Sequence, residues 1–107
     1  MIQTGIDILL NKRIDKQIEN PNFLKRVFHP YELKNKNKIH SIFALKEATM
    51  KALGKKHNWL HISITYKNSK PHISLNESIT PKKMKSIACS VSHDGDYTTA
   101  IVLITTK

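Results

Sequence analysis

Cysteine is nearly absent: Cys89 is the only one. An intramolecular disulfide and a cysteine-built zinc site are therefore excluded, and the usage fits a reducing, cytoplasmic compartment. Cys89 itself lies in an apolar alternation and reads as a small core residue. Acidic residues are also scarce, 8 against 18 Lys and Arg, which leaves a formal charge of +10. Such an excess implies an anionic partner: nucleic acid, a membrane surface or an acidic protein. Aromatics are only 7% of the chain and form no base-stacking signature, which weighs against a small basic nucleic-acid-binding module. No apolar run approaches the ~20 residues that span a bilayer. The N-terminus lacks a basic stretch followed by a long apolar core, so no signal peptide is expected. Repeats and low-complexity linkers are missing too. The 107 residues, 39% of them hydrophobic, are expected to form one domain over 1–107 with a modest core.

What the chain does have is one strong helix, Phe43 to Leu53, followed by Gly54. Ala, Leu, Lys, Glu and Met fill it. Ser41 is placed to cap its start, and Gly54 to end it in a left-handed turn. Glu47 and Lys51 stand four apart and share a face; the plain reading is a solvated ion pair stabilising the helix by ~0.3 kcal/mol.

A second stretch argues for more. Gly5-Ile6-Asp7-Ile8-Leu9 reads as a strand with Ile2, Ile6, Ile8 and Leu10 on one face and Asp7 on the other. An acid in so apolar a strand needs a partner. A metal ion shared with Glu47 would be one, since Mg²⁺ takes one or two carboxylates plus waters and substrate phosphates.

Elsewhere Asn11 is placed to cap a short helix from Lys12 to Glu19, and Asn20-Pro21-Asn22 breaks it. Phe23, Leu24, Val27 and Phe28 form an apolar turn flanked by Lys25 and Arg26, and Pro30 opens another turn through Leu33. Lys34 to His40 reads as a basic loop. Leu60 to Tyr66, His72 to Leu75, Ile87 to Val91 and Ala100 to Ile104 read as strands, the last suited to mid-sheet. Asn68-Ser69-Lys70-Pro71 and Asp94-Gly95 mark turns. The pattern predicts an α+β fold: an antiparallel sheet of about five strands packed on one main helix. His29, His40, His57, His61 and His72 show no zinc spacing.

Three motifs in order, Gly5-Ile6-Asp7-Ile8, Phe43-Ala44-Leu45-Lys46-Glu47-Ala48 with Lys51-Ala52-Leu53-Gly54, and Ser90-Val91-Ser92-His93, resemble the holo-acyl-carrier-protein synthases, the short type of 4′-phosphopantetheinyl transferase. The resemblance runs from residue 2 to about residue 104. It implies transfer of 4′-phosphopantetheine from coenzyme A to a serine of an acyl carrier protein, with Asp7 and Glu47 holding Mg²⁺ and Lys51 assisting at the pyrophosphate. It implies coenzyme A contacts from Ser92, His93, Lys70 and Pro71; Lys70-Pro71 resembles the family's Gly-Lys-Pro, with Ser69 in the glycine's place. It also implies trimers with active sites between subunits. The family commonly has an arginine before the helix phenylalanine; here it is Ile42, which leaves the phosphates to Lys46 or a loop lysine. Acyl carrier proteins are acidic, so Arg13, Lys16, Lys25 and Arg26 around Phe23 and Leu24 form the candidate docking face. The competing readings are an inactive protein of the same fold and the nucleic-acid module.

Overall fold

The strong helix former runs longer than its motif. In a computed structural model, which describes residues 1–107, α4 spans Ile39–Leu53. Ser41 is not its cap. The helix starts directly after Lys38, no side chain caps it, and Ser41 sits buried in its first turn. The C-terminus ends as the glycine predicts: Gly54 takes φ +86° and its N–H donates to the Met50 carbonyl at 2.9 Å. Burial surrounds α4 almost completely, with Ile42, Ala44, Leu45 and Ala48 wholly enclosed. Its accessible strip is His40, Phe43, Glu47 and Lys51.

Five strands form, but in two sheets rather than one. β1 (Ile2–Leu10), β4 (Met84–Asp94) and β5 (Tyr97–Thr106) pair antiparallel in the order β1-β5-β4. β2 (Ile62–Lys67) and β3 (Lys70–Leu75) make a separate hairpin. The break falls between β3 and β4, where the Cys89 thiol donates to the Pro71 carbonyl at 3.5 Å. Pro71 has no N–H to extend a ladder there. Lys70 and Pro71 therefore belong to β3, and the turn is Asn68-Ser69, both with positive φ (53° and 64°). The apolar run of β5 is central, as its continuous hydrophobicity requires.

Three short helices connect β1 to α4: α1 (Asn11–Gln17), α2 (Pro21–Val27) and α3 (Pro30–Leu33). Asn11 does not cap α1. It is the first helical residue, and its Oδ1 accepts from the Thr98 hydroxyl at 2.8 Å. Asn20 is a true cap: its Oδ1 accepts from the Asn22 N–H at 2.9 Å, with Pro21 at the first helical position.

The two faces of β1 divide sharply. Gly5, Asp7 and Leu9 look toward α4, while Ile2, Ile6 and Ile8 are 64–66% exposed. Beside them on β5, Tyr97 and Ile101 are exposed as well. Against the helix, Gly5 fits because it has no side chain: a Cβ there would lie 1.9 Å from the Ala48 carbonyl oxygen. Ala44, Ala48 and Ala52 repeat every four residues, and this small-residue stripe lets strand and helix close together.

Candidate active site

β1 and α4 bring the two predicted acids together. Asp7, Glu47 and Lys51 line one cleft of about 400 Å³, joined by Arg13 from α1, Phe23 and Arg26 from α2, Phe43 and Trp59. Phe43 and Trp59 stack with centroids 5.1 Å apart and form an apolar wall. The expected helix pair does not form; Lys51 reaches across to β1 instead. Its ammonium donates to the Ile6 carbonyl at 2.9 Å and to Asp7 Oδ1 at 3.4 Å. Glu47 has no ion-pair partner within 4.0 Å.

Asp7 and Glu47 are the two carboxylates in the cleft that could hold a cation. Burial pushes the Asp7 carboxyl above its ordinary value, against the pull of Lys51 and Arg13. Burial also raises Glu47, and the charge of Asp7 raises it further, against Lys51, Lys56 and Arg13. Two hard oxygen ligands that repel one another suit Mg²⁺. No third His, Cys, Asp or Glu joins them, so the set has the oxygen chemistry of a site completed by water and phosphate rather than a closed zinc site.

These shifts have a consequence for stability. Each group's folded pKa is raised, so the folded state holds its proton more tightly and ionisation opposes folding. The penalty is absent below the ordinary carboxylate pKa and complete above the raised one. Asp7→Asn and Glu47→Gln should therefore raise the melting temperature at pH 7 without metal, and the gain should vanish near pH 3. Thermal denaturation at both pH values reads this directly; a fall in melting temperature at pH 7 would contradict it.

A second cleft, about 670 Å³, lies on the other flank of α4. Lys38, Ser41, Tyr66, Lys70, Pro71 and His93 are among its lining residues. His93 Nε2 is 3.2 Å from the Ser41 hydroxyl. Ser92 faces the other side of the sheet, in a recess with Ile8 and Thr99. From Ser41 to Glu47 is about 9 Å of helix axis, so α4 stands between the clefts. Within one chain the acid pair and the Lys70–Pro71–His93 group do not converge.

Lys46 does not serve phosphates. It is wholly buried, and its ammonium donates to Glu32 Oε1 at 2.8 Å and to the Val27 carbonyl at 2.7 Å. Glu32 in turn accepts from the N–H groups of His29 at 2.7 Å and Ile64 at 2.8 Å. Burial pulls the Lys46 ammonium below its ordinary value, and Glu32 opposes the shift. This pair binds α4 to α2, α3 and β2. Lys46→Ala would strand a buried carboxylate and should cost about 3–5 kcal/mol, measurable by urea denaturation. A loss under 1 kcal/mol would mean that Glu32 finds another partner.

Ile42 is likewise in the core, fully enclosed, so it occupies no phosphate position at the surface. Phe23 is 7% exposed and lies beneath the Arg26 guanidinium at 5.9 Å, so it is a core residue and not a docking anchor. Lys16 and Lys25 are exposed outside the acid cleft, whereas Arg13 and Arg26 line it.

The 4′-phosphopantetheinyl transferase superfamily model matches residues 3–102. The chain belongs to the holo-acyl-carrier-protein synthase family. It is 36% identical to the Helicobacter pylori (strain P12) holo-[acyl-carrier-protein] synthase, over 96% of this chain and 98% of that one. With the Campylobacter lari synthase it shares 35% identity over 94% and 96%. The crystal structure of the H. pylori synthase in complex with coenzyme A superposes with a TM-score of 0.85 at 33% identity, covering 98% and 100% of the two chains. That of Neisseria meningitidis gives 0.86 at 25%, covering 99% and 100%. Membership makes the chain a transferase, and the α+β arrangement is the family's own. No helix of this synthase fold is long and apolar enough to cross a membrane.

Several site residues of this synthase escape sequence reasoning. Glu32 carried a signal: it stands three residues after His29, with Pro30 between, the spacing of a carboxylate that returns to its own helix start. Tyr66, Trp59 and Thr98 carried none, because long-range folding brings the first two to their clefts and sets Thr98, wholly buried, behind His93.

Proposed function

We propose that the chain transfers 4′-phosphopantetheine from coenzyme A to a serine hydroxyl of an apo acyl carrier protein, with Mg²⁺. The observation that carries this reading is the pairing of Asp7 and Glu47, from distant parts of the chain, in one half-buried cleft with Lys51 and Arg13. In the reaction the serine oxygen forms a bond to the pantetheine-side phosphorus. The bond from that phosphorus to the bridging oxygen breaks, adenosine 3′,5′-bisphosphate leaves, and the serine proton passes to a base. Asp7 and Glu47 would hold Mg²⁺, which when bound neutralises charge on the pyrophosphate. Lys51, more than half exposed and tethered at Ile6, is placed to meet the same charge. The wall of Phe43 and Trp59 keeps water from one side of the cleft.

Two clefts on opposite flanks of α4 support a homotrimer in which a neighbour supplies Lys70, Pro71 and His93 to each acid pair. The uncovered face with Ile2, Ile6, Ile8, Tyr97 and Ile101 is the surface where copies would meet. The carrier protein would dock by its acidic surface on Lys16 and Lys25, with Leu24 as the apolar contact and Arg13 and Arg26 at the cleft mouth. Lys25→Glu should slow carrier association, and more so at low salt; stopped-flow rates that are unchanged would place the docking face elsewhere.

The central test incubates the chain with coenzyme A, Mg²⁺ and apo carrier protein and follows the phosphopantetheine mass shift. A shift is expected. No shift with several carrier proteins would favour the inactive-fold reading.

A further inference from the structure

His93 stands at the end of a directed hydrogen-bond chain. The Thr98 hydroxyl donates to Asn11 Oδ1 at 2.8 Å. Its only proton is thereby committed, so toward His93 Nδ1, 3.0 Å away, the same oxygen can only accept. Nδ1 must then carry a proton. In the neutral ring Nε2 is left bare, and the Ser41 hydroxyl, 3.2 Å away, donates to it. Thr98 is wholly buried, and β5 holds it opposite His93 in the β4–β5 register, as it holds it opposite Leu9 in β1. The ring is therefore oriented by the sheet, not by its own torsions alone.

This constrains how His93 can meet an anion. A neutral ring presenting a bare Nε2 repels a phosphate oxygen, because both are acceptors. Only protonation at Nε2 turns that atom into a donor, and Nδ1 keeps its bond to Thr98 in both states. We infer that Asn11 and Thr98 are positioning residues that make coenzyme A binding by His93 proton-coupled: the ring takes up one proton, at Nε2, as it closes on a phosphate. The inference rests on the reading of the 670 Å³ cleft as a coenzyme A site. Ser41 and Thr98 touch the ring; Lys38, Tyr66, Lys70, His72 and Cys89 line the same cleft, and Asp94 and Tyr97 line the recess on the other side, while His40, next to Ser41, is engaged with Asp15 at 2.7 Å.

The test is calorimetry of coenzyme A binding to the full chain at pH 8 in buffers of different ionisation enthalpy. At that pH most histidines are neutral, and the ligand's phosphates are already fully ionised. Net proton uptake should accompany binding in the wild type. In Thr98→Val the ring is free to move its proton to Nε2 while neutral and to donate without uptake, so the uptake should fall toward zero. Thr98→Ser should restore it. Long-range ¹H–¹⁵N spectra of the free chain should show His93 as the Nδ1–H tautomer in the wild type and Thr98→Ser, and not in Thr98→Val. Binding without proton uptake in the wild type, equal uptake in Thr98→Val, or an Nε2–H ring in the free wild type would each overturn the proposal. Absence of coenzyme A binding would instead overturn the functional reading and the coupling with it; the tautomer in the free chain tells the two failures apart.

Discussion

Alanine at Asp7 or at Glu47 should reduce carrier-protein labelling by about a thousandfold, a barrier increase of ~4 kcal/mol. The two side chains come from elements forty residues apart and meet in one cleft, so neither can replace the other as the second oxygen ligand. What is left in Asp7→Ala is Glu47 among Arg13, Lys51 and Lys56, a cation-rich surface with one of the two proposed oxygen ligands gone. What is left in Glu47→Ala is an Asp7 that Lys51 already engages at 3.4 Å. The fold should survive in both, since the raised pKa of each group shows that its charge opposes folding. Mass spectrometry of the carrier protein, with thermal denaturation as the control for folding, measures both quantities. Retained labelling in either variant would refute the shared-metal assignment. A loss of labelling accompanied by unfolding would leave it unsupported and would contradict the electrostatics of the cleft.

Gly5→Ala should destabilise the chain by about 3 kcal/mol or more. The obstacle is backbone: an added Cβ would lie 1.9 Å from the Ala48 carbonyl oxygen and 2.6 Å from the Ala52 nitrogen. A flexible side chain can move away, but a helix cannot without parting from the sheet. If β1 retreats from α4 instead, it carries Asp7 away from Glu47, so transfer should fall even in molecules that stay folded. Denaturant midpoints and labelling rates separate the two effects. A variant within 0.5 kcal/mol of the wild type, a margin ordinary for surface changes, would show that β1 and α4 are not held as closely as the structure has them.

Local chemistry made the helix and its glycine end legible, because propensity and the positive φ of Gly54 are properties of a few adjacent residues. The alternation in β1 identified its two faces and put Asp7 opposite the isoleucines, and the ordered motifs pointed to Asp7, Glu47 and Lys51 as a set. The assignment of those faces was not legible: period two says that Ile6 and Asp7 look in opposite directions, not which direction is inward. Lys46 was misread for a related reason. A lysine in a motif next to Glu47 looks like a phosphate ligand until Glu32, on a different helix, is seen to enclose it. The split between β3 and β4 depends on Pro71 being at a sheet edge, a fact of pairing and not of composition. Ser41 had the right residue type for a cap, but Ile39 and His40 extended the helix past it.

The pairing of β1 with β5 bears on how the chain comes to be active at all. Ile2 lies opposite Thr105 and Leu10 opposite Tyr97, so the strand that is synthesised first has its whole ladder on the strand that is synthesised last. Contacts of such sequence separation form slowly, because a long loop must close before any bond rewards it. During translation β1 has no partner, and its isoleucines and unpaired backbone are open to other chains. Asp7 rides on that strand. Helix α4, with Glu47 and Lys51, is local, whereas the acid pair needs β1 seated both on the helix, where Gly5 meets Ala48, and on β5. The proposed metal site would therefore be complete only after the longest-range pairing of the chain has closed.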